Sequence, residues 1–276
     1  MRCYAVLPLL LVACKHPDPA PQDIDGLAHW FWVNYDAGTD EEMAAAVVAL
    51  DAAIQDASKD TFEDADGYKE EAIQVTISDL STEERDVVPM DVEKDPADAR
   101  GMLIINPLPC TVEQVERFTY ELNQDELYPD AYDAYSRTYT SDADAYIARE
   151  VPTLSWEVDL TGTTIGVTYT EHLNGGIRWV PALDDEQSPF GAIAVNRTWM
   201  PTPATFANEN NREFDQDYQI EVQYETTPGL VVHFYAIWRH VDYGAGMDSE
   251  NDGLVNTQMD GIVDWDDVTA ALCQAE

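Results

Sequence analysis

From Leu154 onward the chain alternates apolar and polar residues with a period of two. Leu154, Trp156, Val158 and Leu160 are separated by Ser155, Glu157 and Asp159, the period of a half-buried strand. Thr161-Gly162 predicts a turn, after which Ile165, Val167 and Tyr169 resume the alternation. Asn174-Gly175-Gly176 has the composition of a tight hairpin and leads into Ile177 to Val180. Further strands are expected from Phe190 to Met200, across Ile220, Val222 and Tyr224, and from Val231 to Val241 after a turn at Thr227-Pro228-Gly229. Successive hairpins of this kind predict an antiparallel sheet with one wet and one packed face.

Around that sheet the pattern turns helical. Ile24 to Tyr35 is dense in apolar and aromatic residues and reads as a short buried helix. Thr39 with Glu42 makes a capping box, and Met43, Val47, Leu50 and Ile54 share one face of a second helix. The pair predicts a helical hairpin, with His29 in its core or at its boundary. Asp56 to Gly67 reads as an acidic loop, and Ile73, Val75 and Ile77 as a short strand. The charged stretch Asp91 to Arg100, with Pro96, is expected to be a linker. Beyond it come a strand at Met102 to Ile105, stopped by Pro107 and Pro109, and a helix capped by Thr111 and Gln114 with Val112, Val115, Phe118 or Thr119, and Leu122 on one face. Asp125 to Tyr135 reads as a second helix or turn. At the end, Leu254, Val255, Met259, Ile262, Val263, Trp265, Val268 and Leu272 suit an amphipathic helix despite Gly261. It is expected on the dry face of the sheet. The fold class is therefore α+β: a helical hairpin and acidic linker over residues 24–100, then a sheet domain over 101–276.

The first residues follow a different logic. Arg2 precedes an uncharged, mostly apolar run from Cys3 to Ala13, which closes on Leu11-Val12-Ala13-Cys14. The order of charge, apolar core and small residues at a cut site is that of an export signal, and the run is too short to span a bilayer. This segment resembles a bacterial lipoprotein signal peptide ending in a lipobox. The resemblance implies a signal over residues 1–13, cleavage before Cys14, acylation of that cysteine and a membrane partner reached through the lipid. Lys15 in place of Asp after the cysteine points to the outer membrane by the enteric sorting rule. Residues 14–23, rich in proline, read as a tether. With Cys3 removed and Cys14 acylated, Cys110 and Cys273 remain. In an exported protein they point to one disulfide, the alternative being two free buried thiols.

Charge narrows the partners. Asp and Glu number 54 against 14 Lys and Arg, a formal net charge of −40. Phosphate backbones are repelled by such a surface, so nucleic acid is not an expected partner. A solvated acidic surface, of the kind found in salty environments, accounts for the charge.

The order of strand, helix pair, long antiparallel meander and C-terminal helix, from about Gly101 to Cys273, is similar to the helix-grip fold of START and Bet v 1-like proteins. The resemblance implies a curved sheet gripping the last helix around an apolar cavity, with lipids, sterols or aromatic molecules as usual ligands and cyclisation or hydrolysis in a minority. It also places Cys273 near the helix that Cys110 precedes, which is compatible with a bridge.

No GxSxG, HExxH, paired CxxC or P-loop occurs, so no catalytic residue is named and no enzyme is expected. His233 and His240, seven apart on one strand, face opposite sides and read as structural hydrogen-bonding groups. Arg137, Arg149, Arg178, Arg197 and Arg239 are expected to pair with neighbouring Asp and Glu. Asp248, Glu250 and Asp252, followed by Gly253, are similar to an EF-hand or dockerin calcium loop. Met259 stands at the twelfth position, however, which favours an acidic loop leading into the last helix; calcium is the one cofactor considered. The functional expectation is a lipid-anchored, non-enzymatic module of the cell envelope holding a small apolar or amphipathic ligand between sheet and last helix. The alternatives are a structural or interaction lipoprotein with a filled core, and a cyclase- or hydrolase-like enzyme.

Overall fold

A computed structural model describes residues 19–57, 72–183, 189–207 and 212–275. The expected signal and Cys14 lie outside the described residues, as does most of the expected acidic loop 56–67. Helices α1 (Ile24–Asn34) and α2 (Asp40–Ala57) form the hairpin. Thr39 and Glu42 cap α2 reciprocally, each side chain accepting from the other's backbone N–H. Strand β1 (Ile73–Ile77) and the short helix α3 (Thr82–Arg85) follow, α3 capped by Ser81 and Glu84. After β2 (Arg100–Leu108) come α4 (Val112–Tyr120), capped by Thr111 and Gln114, then α5 (Gln124–Leu127), β3 (Ala134–Tyr139) and α6 (Ala143–Ile147). The meander consists of β4 (Thr153–Thr164), β5 (Val167–Val180), β6 (Ile193–Trp199), the short β7 (Thr205–Phe206), β8 (Glu213–Thr227) and β9 (Leu230–Asp242). Helix α7 (Asp252–Ala275) ends the chain.

All strands belong to one antiparallel sheet of order β1-β2-β9-β8-β6-β5-β4-β3, with β7 on β5. The architecture is α+β, a large antiparallel sheet with helices at both ends of the chain. Residues 91–100, expected as a linker, connect into this same sheet, because β1 pairs with β2 from Ile77↔Gly101 to Ile73↔Ile105. Pro107 does not stop β2, which continues to Leu108 against β9. Among the described residues nothing pairs with the β1 side of that strand beyond Ile105, a position at which a proline is tolerated.

Two turn expectations are corrected. Thr161-Gly162 lies inside β4, and the chain turns at Ile165-Gly166, whose φ values of 48° and 78° are those of a tight hairpin. Asn174-Gly175-Gly176 is not a hairpin either; β5 runs straight through it. Its glycines serve close approach: a Cβ on Gly175 would lie 2.6 Å from Trp156 Nε1, and one on Gly176 2.8 Å from the Leu154 carbonyl.

The two faces of the sheet are covered by different elements. Tyr218, Ile220, Val222 and Tyr224 of β8, with Phe234, Ala236 and Trp238 of β9, pack against Leu27, Phe31, Trp32, Met43, Val47 and Leu50 of the hairpin. The opposite face receives α7, where Val255 and Met259 meet Met102, Ile104 and Ile237. Helix α7 packs on the sheet as expected, while α1 and α2 cover the other face, the dry face of β8 and β9. Further along that hairpin-side face, Glu157 and Asp159 of β4 are exposed to water. A disulfide joins Cys110, before α4, to Cys273 in the last turn of α7, with Cα atoms 5.4 Å apart.

Candidate functional site

Between α7 and its face of the sheet lies a cavity of about 550 Å³, open to solvent and within the range of small-molecule sites. Its walls are aromatic and aliphatic: Trp156, Val158 and Leu160 on β4, Tyr132 just before β3 and Tyr135 within it, and Ile262 and Trp265 on α7. The period-two alternation sets its floor. Positions on β8 and β9 next to the dry-face residues project the other way, and there the chain carries Gln219, Glu221, Gln223, His233, Tyr235 and Arg239.

Two polar networks fill this floor. In the first, the His233 imidazole lies between two carboxylates, 2.8 Å from Asp266 Oδ1 through Nδ1 and 3.1 Å from Glu221 Oε2 through Nε2. Asn106 donates to the other Asp266 oxygen at 3.1 Å, and Asn196 to Glu221 at 2.6 Å. Burial alone would lower the imidazole pKa, but Asp266 and Glu221 together outweigh it and raise it to about 10. His233 is therefore a fixed imidazolium that holds α7 to the sheet, a poor base at neutral pH. In the second network, Asp217 accepts from Arg239 at 2.7 Å and from Gln219 at 2.9 Å, and Tyr235 donates to Gln219 at 2.7 Å.

Glu171 on β5 stands apart. It lines the cavity with only 6% exposure, and among the described residues its carboxyl makes no hydrogen bond, Oε2 being buried without a partner. Burial, and then the Asp217 charge, push its pKa up to about 8 against the opposing pull of Arg239.

The residues singled out in the sequence distribute as follows. Trp156 and Trp265 line the cavity, whereas Trp238 lies on the dry face and Trp199 bonds the Pro89 carbonyl. Arg149, Arg178, Arg197 and Arg239 pair with Glu116, Asp40, Asp36 and Asp217 respectively. Arg137 instead donates to the Thr119 carbonyl and lies 4.4 Å over the Trp156 ring. His29 bonds Glu84 at 2.9 Å at the hairpin boundary. Asp248, Glu250 and Asp252 do not converge into a three-ligand group. Asp248 accepts from the Glu250 N–H, and the neighbouring Asn251 caps α7 by accepting from Leu254. The group of His and carboxylates that does come together among the described residues is Glu213, Asp215 and His240, where Asp215 already holds Lys94 at 2.5 Å.

Asp266 and Glu171 were missed by sequence reasoning, yet each left a signal. Asp266 continues the spacing of Val255, Met259 and Ile262 along α7, and Glu171 continues that of Val167 and Tyr169 along β5. An acid at an apolar position of a periodic segment is buried by the pattern around it.

No family model matches the chain, and no curated protein matches it. Among solved structures it is similar to the human StarD13 (DLC2) lipid transfer and protein localization domain, with 12% identity over 80% of this chain and 96% of that one and a TM-score of 0.40. A STAR-related lipid transfer protein from Xanthomonas axonopodis matches at 11% identity over 63% and 77%, with a TM-score of 0.35. Dicamba monooxygenase bound to 3,6-dichlorosalicylic acid matches at 12% identity over 64% of this chain and 50% of that one, with a TM-score of 0.40.

Proposed function

We propose that this chain is a binding module for a small amphipathic molecule, carried on the cell envelope by an acylated Cys14. The observation that carries the binding role is the cavity: about 550 Å³ of space between sheet and α7 with aromatic walls and a polar floor. A dispensable void of this size is costly, since unfilled volume forfeits packing contacts, and on the other face the hairpin packs closely over β8 and β9. The ligand's apolar body lies against Trp156, Leu160, Ile262 and Trp265, and its polar end meets the floor. His233, locked between two carboxylates, is a poor base, which supports binding as the role.

The test uses N-phenylnaphthylamine, which brightens in apolar sites. Wild-type protein should enhance its emission saturably. Gly261 lies exposed on the cavity rim, and a Cβ there meets nothing within 4 Å, so Gly261→Trp should obstruct entry without disturbing the helix. Absent enhancement in the wild type, or enhancement undiminished in Gly261→Trp, overturns the reading. The anchor is tested separately: Cys14→Ser should move the protein from the membrane fraction to the soluble or unprocessed one, and continued membrane fractionation would contradict it.

A further inference from the structure

The charged groups of the cavity wall differ in whether they are already answered. Glu221 and Asp266 share His233, Arg239 is neutralised by Asp217, and Arg137 is held by the Thr119 carbonyl and the Trp156 ring. Glu171 alone among these, nine-tenths buried, has no hydrogen-bond partner among the described residues. The cavity therefore offers a carboxyl that makes no hydrogen bond among the described residues, whereas Arg137 and Arg239 each leave Nε unpartnered but donate through another nitrogen. Counting Asp217 behind the floor, four carboxylates face the three cations His233, Arg239 and Arg137. Tyr132, Tyr135, Tyr169 and Trp265 line the same space, with the Tyr132 and Tyr135 ring centroids 4.8 Å apart. Aromatic faces attract ammonium groups and are indifferent or unfavourable to anions.

We propose that the ligand is an organic amine with an apolar body, its ammonium group seated on Glu171 beside the tyrosine rings. This rests on the cavity being a binding site and names the chemistry it selects. The groups facing the Glu171 carboxyl are Asp217 on β8, Arg239 on β9, Tyr169 on β5, and Tyr132 and Tyr243. Asp217 and burial keep the empty site's carboxyl protonated near neutral pH, and an arriving ammonium reverses that. Binding then releases a proton, so the heat of binding near neutrality depends on the buffer's ionisation enthalpy. Affinity rises as pH approaches and passes about 8, and falls again when the amine itself deprotonates near pH ~10.4.

The experiment compares decylamine, decanol and decanoate by calorimetry on the full chain, wild type and Glu171→Gln, at a pH between those two limits. Decylamine should bind about tenfold or more tightly than the other two, the usual margin of a charge-assisted bond over a neutral one. Glu171→Gln, which keeps shape and removes charge, should erase that margin while leaving decanol binding in place. Decanol or decanoate binding as tightly as decylamine overturns the amine assignment and leaves the binding role standing, as does a margin that survives in Glu171→Gln. Failure of all three probes to bind overturns both.

Discussion

The two faces of this sheet are built from the same strands and differ in almost everything else. On the hairpin side, Phe31, Trp32, Tyr218, Phe234 and Trp238 are close to fully buried, and their rings meet in edge contacts such as Trp32 on Tyr218 and on Trp238. On the α7 side, the same strands present Glu221, His233 and Arg239 to an open cavity. The first face holds the fold together. The second carries ionised groups that must be hydrogen-bonded to one another to be tolerated.

Truncation separates the faces most sharply. Phe31→Ala should lower unfolding free energy by about 3–5 kcal/mol, measured by urea denaturation, with probe affinity in the remaining folded protein unchanged. Leu160→Ala, on the cavity wall, should cost clearly less, because it enlarges a space already present, and should weaken probe binding. Equal costs would erase the distinction.

The polar floor gives the next test. His233→Gln leaves Glu221 and Asp266 buried without their cation and should cost about 3–5 kcal/mol, with α7 loosening first, seen as faster amide exchange along it. Because folding raises the His233 pKa from 6.5 to about 10, its stabilisation is fully present below pH ~6.5 and is lost as pH rises towards 10. The wild type should weaken across that window by more than His233→Gln, and above pH 8, where the Glu171 contribution is complete, only the wild type should go on weakening. A Cys110→Ser, Cys273→Ser double variant, which frees the other end of α7, should lose about 2–5 kcal/mol, measured against oxidised wild type.

The smallest effect has the opposite sign. Folding raises the Glu171 pKa from 4.5 to about 8, so the folded state holds a proton that the unfolded chain has lost between those values. Stability therefore falls as pH rises from about 4.5 to 8 and stays reduced above it. Glu171→Gln should be more stable than wild type above pH 8 and equal to it at low pH. A variant less stable at every pH would contradict the reading of an unpartnered carboxyl.

The sequence made the strands legible and concealed what covers them. Alternation in β8 separates Ile220, Val222 and Tyr224 from Glu221 and Gln223 correctly, and the capping boxes read at Thr39 and Thr111 are both formed. Alternation cannot say whether a polar face meets water or another helix, however, and here Glu221 meets α7 through His233. The glycines at 175 and 176 were misleading because the same residue that permits a turn also permits a tryptophan ring to approach the backbone. The face of α7 was misjudged for a related reason: Val268 is 40% exposed while Asp266 is buried, a preference set by the carboxylate's partner on another strand.

The seven tryptophans allow the two-face account to be tested in one spectrum. Each indole N–H gives its own NMR signal, and the protein can be titrated with N-phenylnaphthylamine while all are watched. The account predicts that the signals of Trp156 and Trp265 move, while those of Trp32 and Trp238 stay in place until the protein unfolds. Movement of Trp32 or Trp238 with the first additions, or no movement of Trp156 and Trp265 at saturation, would place the ligand elsewhere and contradict it.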